Sequence, residues 1–446
     1  MNIVGIGFYD DFARFFNALK KEACKRKATF YYVTIFSSGF LYGLAKLSVF
    51  TWLTPSVWCK YIVNKKKYLQ SARANFYKNI DLAKVAKYHV TSDPIHENYY
   101  RMVSCAYIYF AYSYLIRKKA DVLIVSGDSR MQCVAFIEVA KKLDIKIYYF
   151  EQGAFDTTFV DTVGVNANSI VRQIAYFPVD KYVDHKDVLT LTINKNKNKK
   201  FKRLRFFRGI DKIINIFLIY FFSRSEITER FPKPNQSVQK NTLGKKPEDK
   251  PLVLFAAQVP HDVNMITHSP VFVNHYNIIK FLNENVPDIY QIVVREHPLY
   301  KGRYEKEFYN YIYEQERIIL DNTTPLHSII NSASLVAVNN STVGIESLVL
   351  GKRVFVTGAA YYDTFCGVWS VNNPDDVYKL KEGDYVLSES EHEISLKELS
   401  ILFTDFLYAG HFRDEDLSFT AEIMDDIING EVKSGKVNVG RQSCNI

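Results

Sequence analysis

Apolar positions along the chain fall into two rhythms that alternate. Short, often β-branched runs that suit buried strands are followed by stretches in which apolar residues recur at helical spacing. Residues 2–8 read as an opening strand, and 12–25 as an amphipathic helix with Phe12, Phe15, Phe16 and Leu19 on one side. Residues 28–36 are strand-like and lead through a turn into a helix reaching about Pro55. The stretch 80–119 has helical character throughout. Residues 120–126 form an apolar run ending in Gly127-Asp128-Ser129-Arg130. A helix then runs through Lys142, and a strand over 146–150 ends on Glu151-Gln152-Gly153.

A second series opens at 251–257, whose end carries Gln258-Val259-Pro260-His261-Asp262. After a helix from about Asn274, a strand over 290–294 ends in Arg295-Glu296-His297-Pro298. The clearest unit spans 335–358. There an apolar run meets Asn339-Asn340-Ser341-Thr342, a helix with apolar residues at 343, 345, 348 and 349 follows, and Gly351 stands where a helix stops before a further strand.

Strand, turn and helix in this order predict parallel α/β layers. At 446 residues the chain is too long for one ordinary core. The expected fold is two Rossmann-like α/β domains facing a cleft, in the manner of GT-B glycosyltransferases. The N-terminal domain is expected over 1–190, a basic insertion and linker over 191–250, the C-terminal domain over 251–385, and a helical segment over 386–446.

Composition is that of an ordinary globular protein, with 48% apolar and 24% charged residues. A net charge of +9 suits an anionic partner. Part of it lies in the Asn/Lys run 194–200 and the mixed basic and aromatic residues 201–208, just ahead of the apolar run 213–222. Residues 195–225 are therefore expected to contact an anionic membrane surface as an amphipathic helix; a solvated insertion and a helix packed on the first domain are the alternatives. No nucleic-acid module accompanies the basic stretch, and no nucleic-acid partner is expected.

The six cysteines, Cys24, Cys59, Cys105, Cys133, Cys366 and Cys444, include no C-x-x-C pair. A reducing cytoplasm is expected, beside the cytoplasmic face of the inner membrane where 195–225 contacts lipid. No basic segment followed by a short apolar core opens the chain, so no secretory leader is expected. The uncharged segment 28–45 is read as strand, turn and helix rather than as a membrane span.

Ligands of open α/β sheets gather at the carboxyl ends of the strands, where a helix N-terminus also favours an anion. Asn340, Ser341 and Thr342 are thus a candidate phosphate seat. A capping box would place its acid at 344, which is Gly, so capping does not explain Glu346; a carboxylate one turn into the helix can instead hold a pair of ribose hydroxyls. Arg295 and His297 can pair with phosphate or carboxylate oxygens. Asp262 stands at the mouth of the second sheet. Glu151, Gln152, Asp128, Arg130 and Asn166 are candidates on the acceptor side. Gly5 and Gly7 lack the third glycine of a dinucleotide fingerprint, and Asp375-Asp376 and Asp414-Glu415-Asp416 follow no strand, so neither cofactor nor metal is expected.

With these residues in place, the chain resembles the capsule polysaccharide biosynthesis family, in particular its retaining β-Kdo transferases, which move 3-deoxy-manno-octulosonic acid (Kdo) from CMP-Kdo. The resemblance rests on Glu151-Gln152-Gly153 with Gly164-Val165-Asn166-Ala167, on Gln258 to Asp262, on Arg295 to Pro298, and on Asn340 to Glu346. It implies that His297, Ser341 and Thr342 hold the CMP phosphate, that Glu346 holds the ribose, and that Arg295 meets the phosphate or the sugar carboxylate. Asp262 would be the nucleophile of a covalent intermediate and Glu151 its proton-transfer partner, with a glycan or glycolipid as acceptor and no metal needed. A transferase using a CMP-sialyl or CDP-glycerol donor, and a non-catalytic glycan-binding component of capsule assembly, remain open alternatives.

Overall fold

The structure, a computed structural model, describes residues 1–176, 204–222 and 250–436. The chain divides into two compact units. Of the described residues, one holds Met1–Val165, the helix Arg205–Phe222 and the chain from Thr404 to Lys436; the other holds the chain from Asn166 to Tyr176 and from Lys250 to Phe403.

The first unit is built on strands β1 (Asn2–Gly7), β2 (Thr29–Thr34) and β3 (Phe50–Trp52), a small hairpin of β4 (Phe76–Tyr77) and β5 (Ile80–Asp81), then β6 (Val122–Ser126), β7 (Lys146–Gln152) and β8 (Thr157–Asp161). Its main sheet is completed by β15 (Leu407–Ala409) in the order β15-β8-β7-β6-β1-β2-β3. From β7 to β3 all neighbours are parallel, whereas β8 and β15 join by antiparallel pairing. The helix Asp10–Lys25 buries Phe12, Phe15, Phe16 and Leu19 against this sheet, the face its periodicity predicts.

The second unit holds β9 (Leu252–Ala256), β10 (Gln291–Arg295), β11 (Ile318–Leu320), β12 (Ala333–Val338), β13 (Arg353–Val356) and β14 (Val368–Ser370), in the order β11-β10-β9-β12-β13-β14. Every pairing in this sheet is parallel. Strands buried on both faces read as continuous apolar runs, which is why Leu335 to Val338 and Val253 to Ala256 stand out in the sequence.

Several expectations are corrected. The boundary expected at 190 falls at Asn166, and the expected helical segment 386–446 is divided: its helix Glu389–Ile401 belongs to the second unit, while β15 returns to the first because it pairs with the free edge of β8. Residues 80–119 are interrupted, since Asp93-Pro94 ends the helix Leu82–Ser92 before Glu97–Lys118 begins. After the helix Ser37–Ala45 the chain forms β3 and a further helix, Leu53–Val63, instead of one helix to Pro55. No helix among the described residues is long and apolar enough to cross a membrane. Of the basic insertion and linker expected over 191–250, residues 191–203 and 223–249 lie outside the described residues.

Candidate functional site

Both sheets reverse their strand order at one point, and in open α/β sheets the crevice beyond the strand ends at such a point is where ligands bind. In the second unit the reversal lies between β9 and β12. The parallel register puts the carboxyl ends of β9, β10 and β12 on one edge, with Ala256 beside both Arg295 and Val338. Asp262 follows β9, Arg295 ends β10 with His297 just beyond, and Asn339 to Thr342 follow β12.

Asp262 is the N-cap of the short helix Val263–Thr267. Its Oδ1 accepts from the Val263 N–H at 2.8 Å, and its Oδ2 accepts from Gln258 Nε2 at 3.3 Å and Asn264 Nδ2 at 3.2 Å. His261 before it has φ 59°, a left-handed conformation unusual outside glycine, so the turn delivering Asp262 carries backbone strain. Three donors fix the orientation of the carboxylate.

The His297 N–H donates to Tyr304 Oη at 2.9 Å, and its Nδ1 accepts from the Leu299 N–H at 3.3 Å. That assigns the proton of the neutral ring to Nε2, leaving Nε2–H as a donor. Burial holds the imidazole below its ordinary pKa, and the Asp262 carboxylate opposes the shift. The two groups therefore lie within electrostatic reach. Arg295 is half-buried and donates through Nη1 to the Thr324 carbonyl; burial lowers its pKa against the pull of Asp321. Glu296 between them is a buried strut: it accepts from the Gly302 N–H at 2.8 Å and from Asn322 Nδ2 at 2.6 Å, and Tyr309 Oη also donates to it.

The seat after β12 departs from its expected form. Neither Asn340 nor Ser341 is the N-cap; the helix Val343–Val349 starts after Thr342, whose side chain makes no capping bond, and Ser341 Oγ instead accepts from the Val343 N–H at 3.3 Å. Asn340 Nδ2 donates to the Ala359 carbonyl at 3.2 Å, and its Oδ1 is buried with no hydrogen-bond partner. Thr342 is exposed, and Glu346 is half-buried in the first turn. The loop beyond β13 closes the seat from behind, with Tyr362 Oη donating to the Ser341 carbonyl.

Sequence reasoning passed over Asn339. It is fully buried, its Oδ1 accepts from Ser269 Oγ at 3.1 Å and Thr357 Oγ1 at 3.4 Å, and its Nδ2 donates to the Asn264 carbonyl at 3.5 Å. It ties the Asp262 segment to β12 and β13. Gly358 passes so close that a Cβ there would lie 2.5 Å from Asn339 Oδ1 and 2.8 Å from the His268 carbonyl. An amide directly after an apolar run was the available signal.

In the first unit the reversal lies between β1 and β6. Asp128 Oδ1 accepts from Ser129 Oγ at 3.0 Å, and its Oδ2 accepts from the Val165 N–H at 3.1 Å, so it anchors the 162–165 loop. The Arg130 guanidinium sits 5.2 Å from the Phe8 ring centre and 5.8 Å from that of Tyr88. Glu151 and Gln152 are inside β7, facing Phe159 and Thr158 of β8, rather than beyond the strand end; β7 turns back as an antiparallel hairpin instead of entering a helix. Glu151 Oε1 accepts from the Gln152 N–H at 3.0 Å, and the sensitivity of buried Cys133 to both Asp128 and Glu151 puts these acids in one neighbourhood. Asn166 starts the turn Asn166–Asn168, directly after the Val165 whose N–H Asp128 holds.

The sequence also gave no hint of the ion cluster after β1. Asp10 and Asp11 are buried; Arg208 reaches Asp10 at 2.6 Å and Asp11 at 3.0 Å, and Arg413 reaches Asp11 at 3.0 Å. The partners come from segments nearly two hundred and four hundred residues away. Asp376, of the Asp375-Asp376 pair set aside in the sequence, pairs with Lys379 and accepts from the Ser370 N–H. Among the described residues no group of three or more His, Cys, Asp or Glu is arranged to hold a metal ion.

Comparison with known proteins places this geometry in context. A family model described as "Capsule polysaccharide biosynthesis protein" matches residues 121–383. Protein FixF of Sinorhizobium fredii is 23% identical over 326 residues, covering 71% of this chain and 68% of that protein. The lipopolysaccharide-processing protein LpsZ of Rhizobium meliloti is 29% identical over 118 residues, 26% of each chain. Among solved structures, the β-Kdo 2,7 transferase of Thermosulfurimonas dismutans KpsC aligns at 18% identity over 64% of this chain and 79% of that one, with a TM-score of 0.34. The S. aureus MnaA-UDP structure aligns at 12% identity over 98% of each chain, with a TM-score of 0.33.

Proposed function

The chain belongs to the capsule polysaccharide biosynthesis protein family, and from that premise we propose that it is a retaining glycosyltransferase moving Kdo from CMP-Kdo to a glycan or glycolipid in bacterial surface polysaccharide synthesis. The observation carrying this reading is the gathering of Asp262, Arg295, His297 and the Asn340 to Thr342 turn on one edge of the second sheet at its reversal point. An acid, a cation and neutral donors of this kind suit an anionic sugar leaving an anionic phosphate.

In the proposed reaction Asp262 attacks the anomeric carbon as the bond from that carbon to the phosphate oxygen breaks. CMP leaves with the bonding pair, stabilised by Arg295, by His297 Nε2–H, and by Ser341 and Thr342. Glu346 binds the ribose. The acceptor hydroxyl then displaces Asp262 and gives its proton to Glu151, so the configuration is retained overall. Asp128, Arg130 and Gln152 are the proposed acceptor-side residues. The donor is made in the cytoplasm in this reading, and catalysis needs no metal.

Thermal unfolding with CMP, CDP, UDP and GDP tests the donor class, since a ligand at about a hundred times its dissociation constant adds roughly 2.7 kcal/mol. Stabilisation by CMP alone supports the reading, and turnover of CMP-Kdo with a covalent adduct seen by intact mass completes it. A response to CDP with turnover of CDP-glycerol, or turnover of a CMP-sialyl donor, replaces Kdo with that donor. Binding without turnover of any activated donor leaves a glycan-binding assembly component.

A further inference from the structure

The helix Arg205–Phe222 is held on the first unit through the face that carries Arg208 and Asp211. Arg208 lies 3.6 Å from the Tyr9 ring centre besides its bonds to Asp10 and Asp11. Asp211 Oδ1 accepts from Ser37 Oγ at 2.6 Å and from the Ser38 N–H at 2.8 Å. Phe207 and Ile214 pack on the core from the same helix. At about 100° per residue, Phe206, Ile213, Ile216, Phe217 and Tyr220 fall in a single arc opposite Arg208 and Asp211. Their exposures are 76%, 66%, 66%, 53% and 81%. A folded unit does not ordinarily leave large apolar side chains such as Phe206, Ile213 and Ile216 aligned in water.

A second apolar projection is independent of that helix. The helix Ser37–Ala45, which receives Asp211, exposes Leu44 in its last turn, and the loop after it exposes Leu47 and Val49; the three are 54%, 97% and 86% exposed. Leu47 has φ 52°, so a large apolar side chain is held outward on left-handed backbone that folding alone would assign to Gly or Asn. Both projections are bordered by exposed cations, Lys46 beside Leu47, and Arg205 and Lys212 on the helix. In the sequence Lys195, Lys197, Lys199, Lys200, Lys202 and Arg203 directly precede that helix.

We propose that this face of the first unit docks on an anionic lipid surface, with the helix Arg205–Phe222 lying in the interfacial plane and the Leu47 loop inserting beside it. The charge pattern chooses the partner. An apolar stripe edged by Lys and Arg complements acidic headgroups over acyl chains, and the helix's single acid, Asp211, is turned inward and bonded. No described helix is long and apolar enough to span, which fits a helix that lies along the surface. The docking is independent of which activated donor the chain uses.

The test is cosedimentation of the full chain with vesicles of phosphatidylglycerol and phosphatidylethanolamine, and with vesicles of phosphatidylcholine alone. Binding to the anionic vesicles that weakens with salt is expected. Ile213→Glu with Ile216→Glu should lower it at least about tenfold and Leu47→Glu severalfold. Arg205→Glu with Lys212→Glu should reduce binding to the anionic vesicles selectively. These side chains are exposed, and the two projections are altered separately, so misfolding of one variant leaves the other informative. CMP-induced stabilisation, read on the same samples, should be unchanged, which separates this inference from the donor reading. Absence of binding by the unaltered chain, or equal binding by both apolar variants, overturns the proposal. So does a stripe variant that turns a dimer into a monomer without affecting lipid binding, because the face would then belong to a second copy.

Discussion

Glu398 offers a quantitative test of how the second unit is buttressed. It lies in the helix Glu389–Ile401 and is 3% exposed, and its Oε2 accepts from the Cys366 N–H at 2.7 Å. The same helix supplies Ser395, whose Oγ donates to the Cys366 carbonyl. These bonds hold the far end of the loop that carries Tyr362 against Ser341. Burial pushes the Glu398 carboxyl from 4.5 to about 7, and the single N–H donor only partly opposes this. The folded pKa is therefore above the unfolded one. The stability that follows from the neutral form is present below 4.5 and is lost as pH rises through about 7.

At 1.36 kcal/mol per pH unit, the ionised group at pH 8 costs the fold about 3 kcal/mol. Glu398→Gln keeps an acceptor for the Cys366 N–H and cannot ionise. It should raise stability at pH 8 by up to about 3 kcal/mol and change it little at pH 5. Urea unfolding at both values, followed by a probe in the second unit, reads the difference. An equal effect at the two pH values, or a loss of stability at pH 8, would refute the reasoning, because the charge would then have found solvent or a partner.

Further outcomes follow from other buried groups. His89 is 4% exposed and burial holds it at about 3, with Arg130 adding to the shift. Its folded pKa is below the unfolded 6.5, so stability falls as pH drops below 6.5, by about 2 kcal/mol at pH 5; His89→Gln should remove that slope in acid unfolding curves. Asn339→Ala should destabilise the second unit by about 2 kcal/mol, since it removes the buried hydrogen bonds that join Ser269, Thr357 and Asn264, and should weaken CMP-induced stabilisation; wild-type unfolding would make the residue dispensable. Asp262→Asn keeps the helix cap and should abolish transfer while sparing CMP binding, measured by turnover and thermal shift. Loss of CMP binding together with the fold would assign Asp262 to structure. His297→Ala should weaken CMP binding first, seen as a smaller thermal shift at fixed ligand.

What the sequence determined by itself was local. The apolar runs at 253–256 and 335–338, the helix stop at Gly351 and the face formed by Phe12, Phe15, Phe16 and Leu19 were legible because strand and helix periods are set by backbone geometry within a few residues. Candidates at the strand ends could be named for the same reason: Asp262, Arg295, His297 and Asn340 each follow or close such a run. Tertiary structure alone decided which strands neighbour one another, and so which ends share an edge. It sent β15 back to β8, turned β7 into a hairpin that keeps Glu151 within a strand, and moved the division between units to Asn166. It also chose the partners of Asp10, Asp11 and Asn339, since a buried charge or amide takes whatever distant segment the packing brings within about 3 Å, and no local pattern encodes that choice.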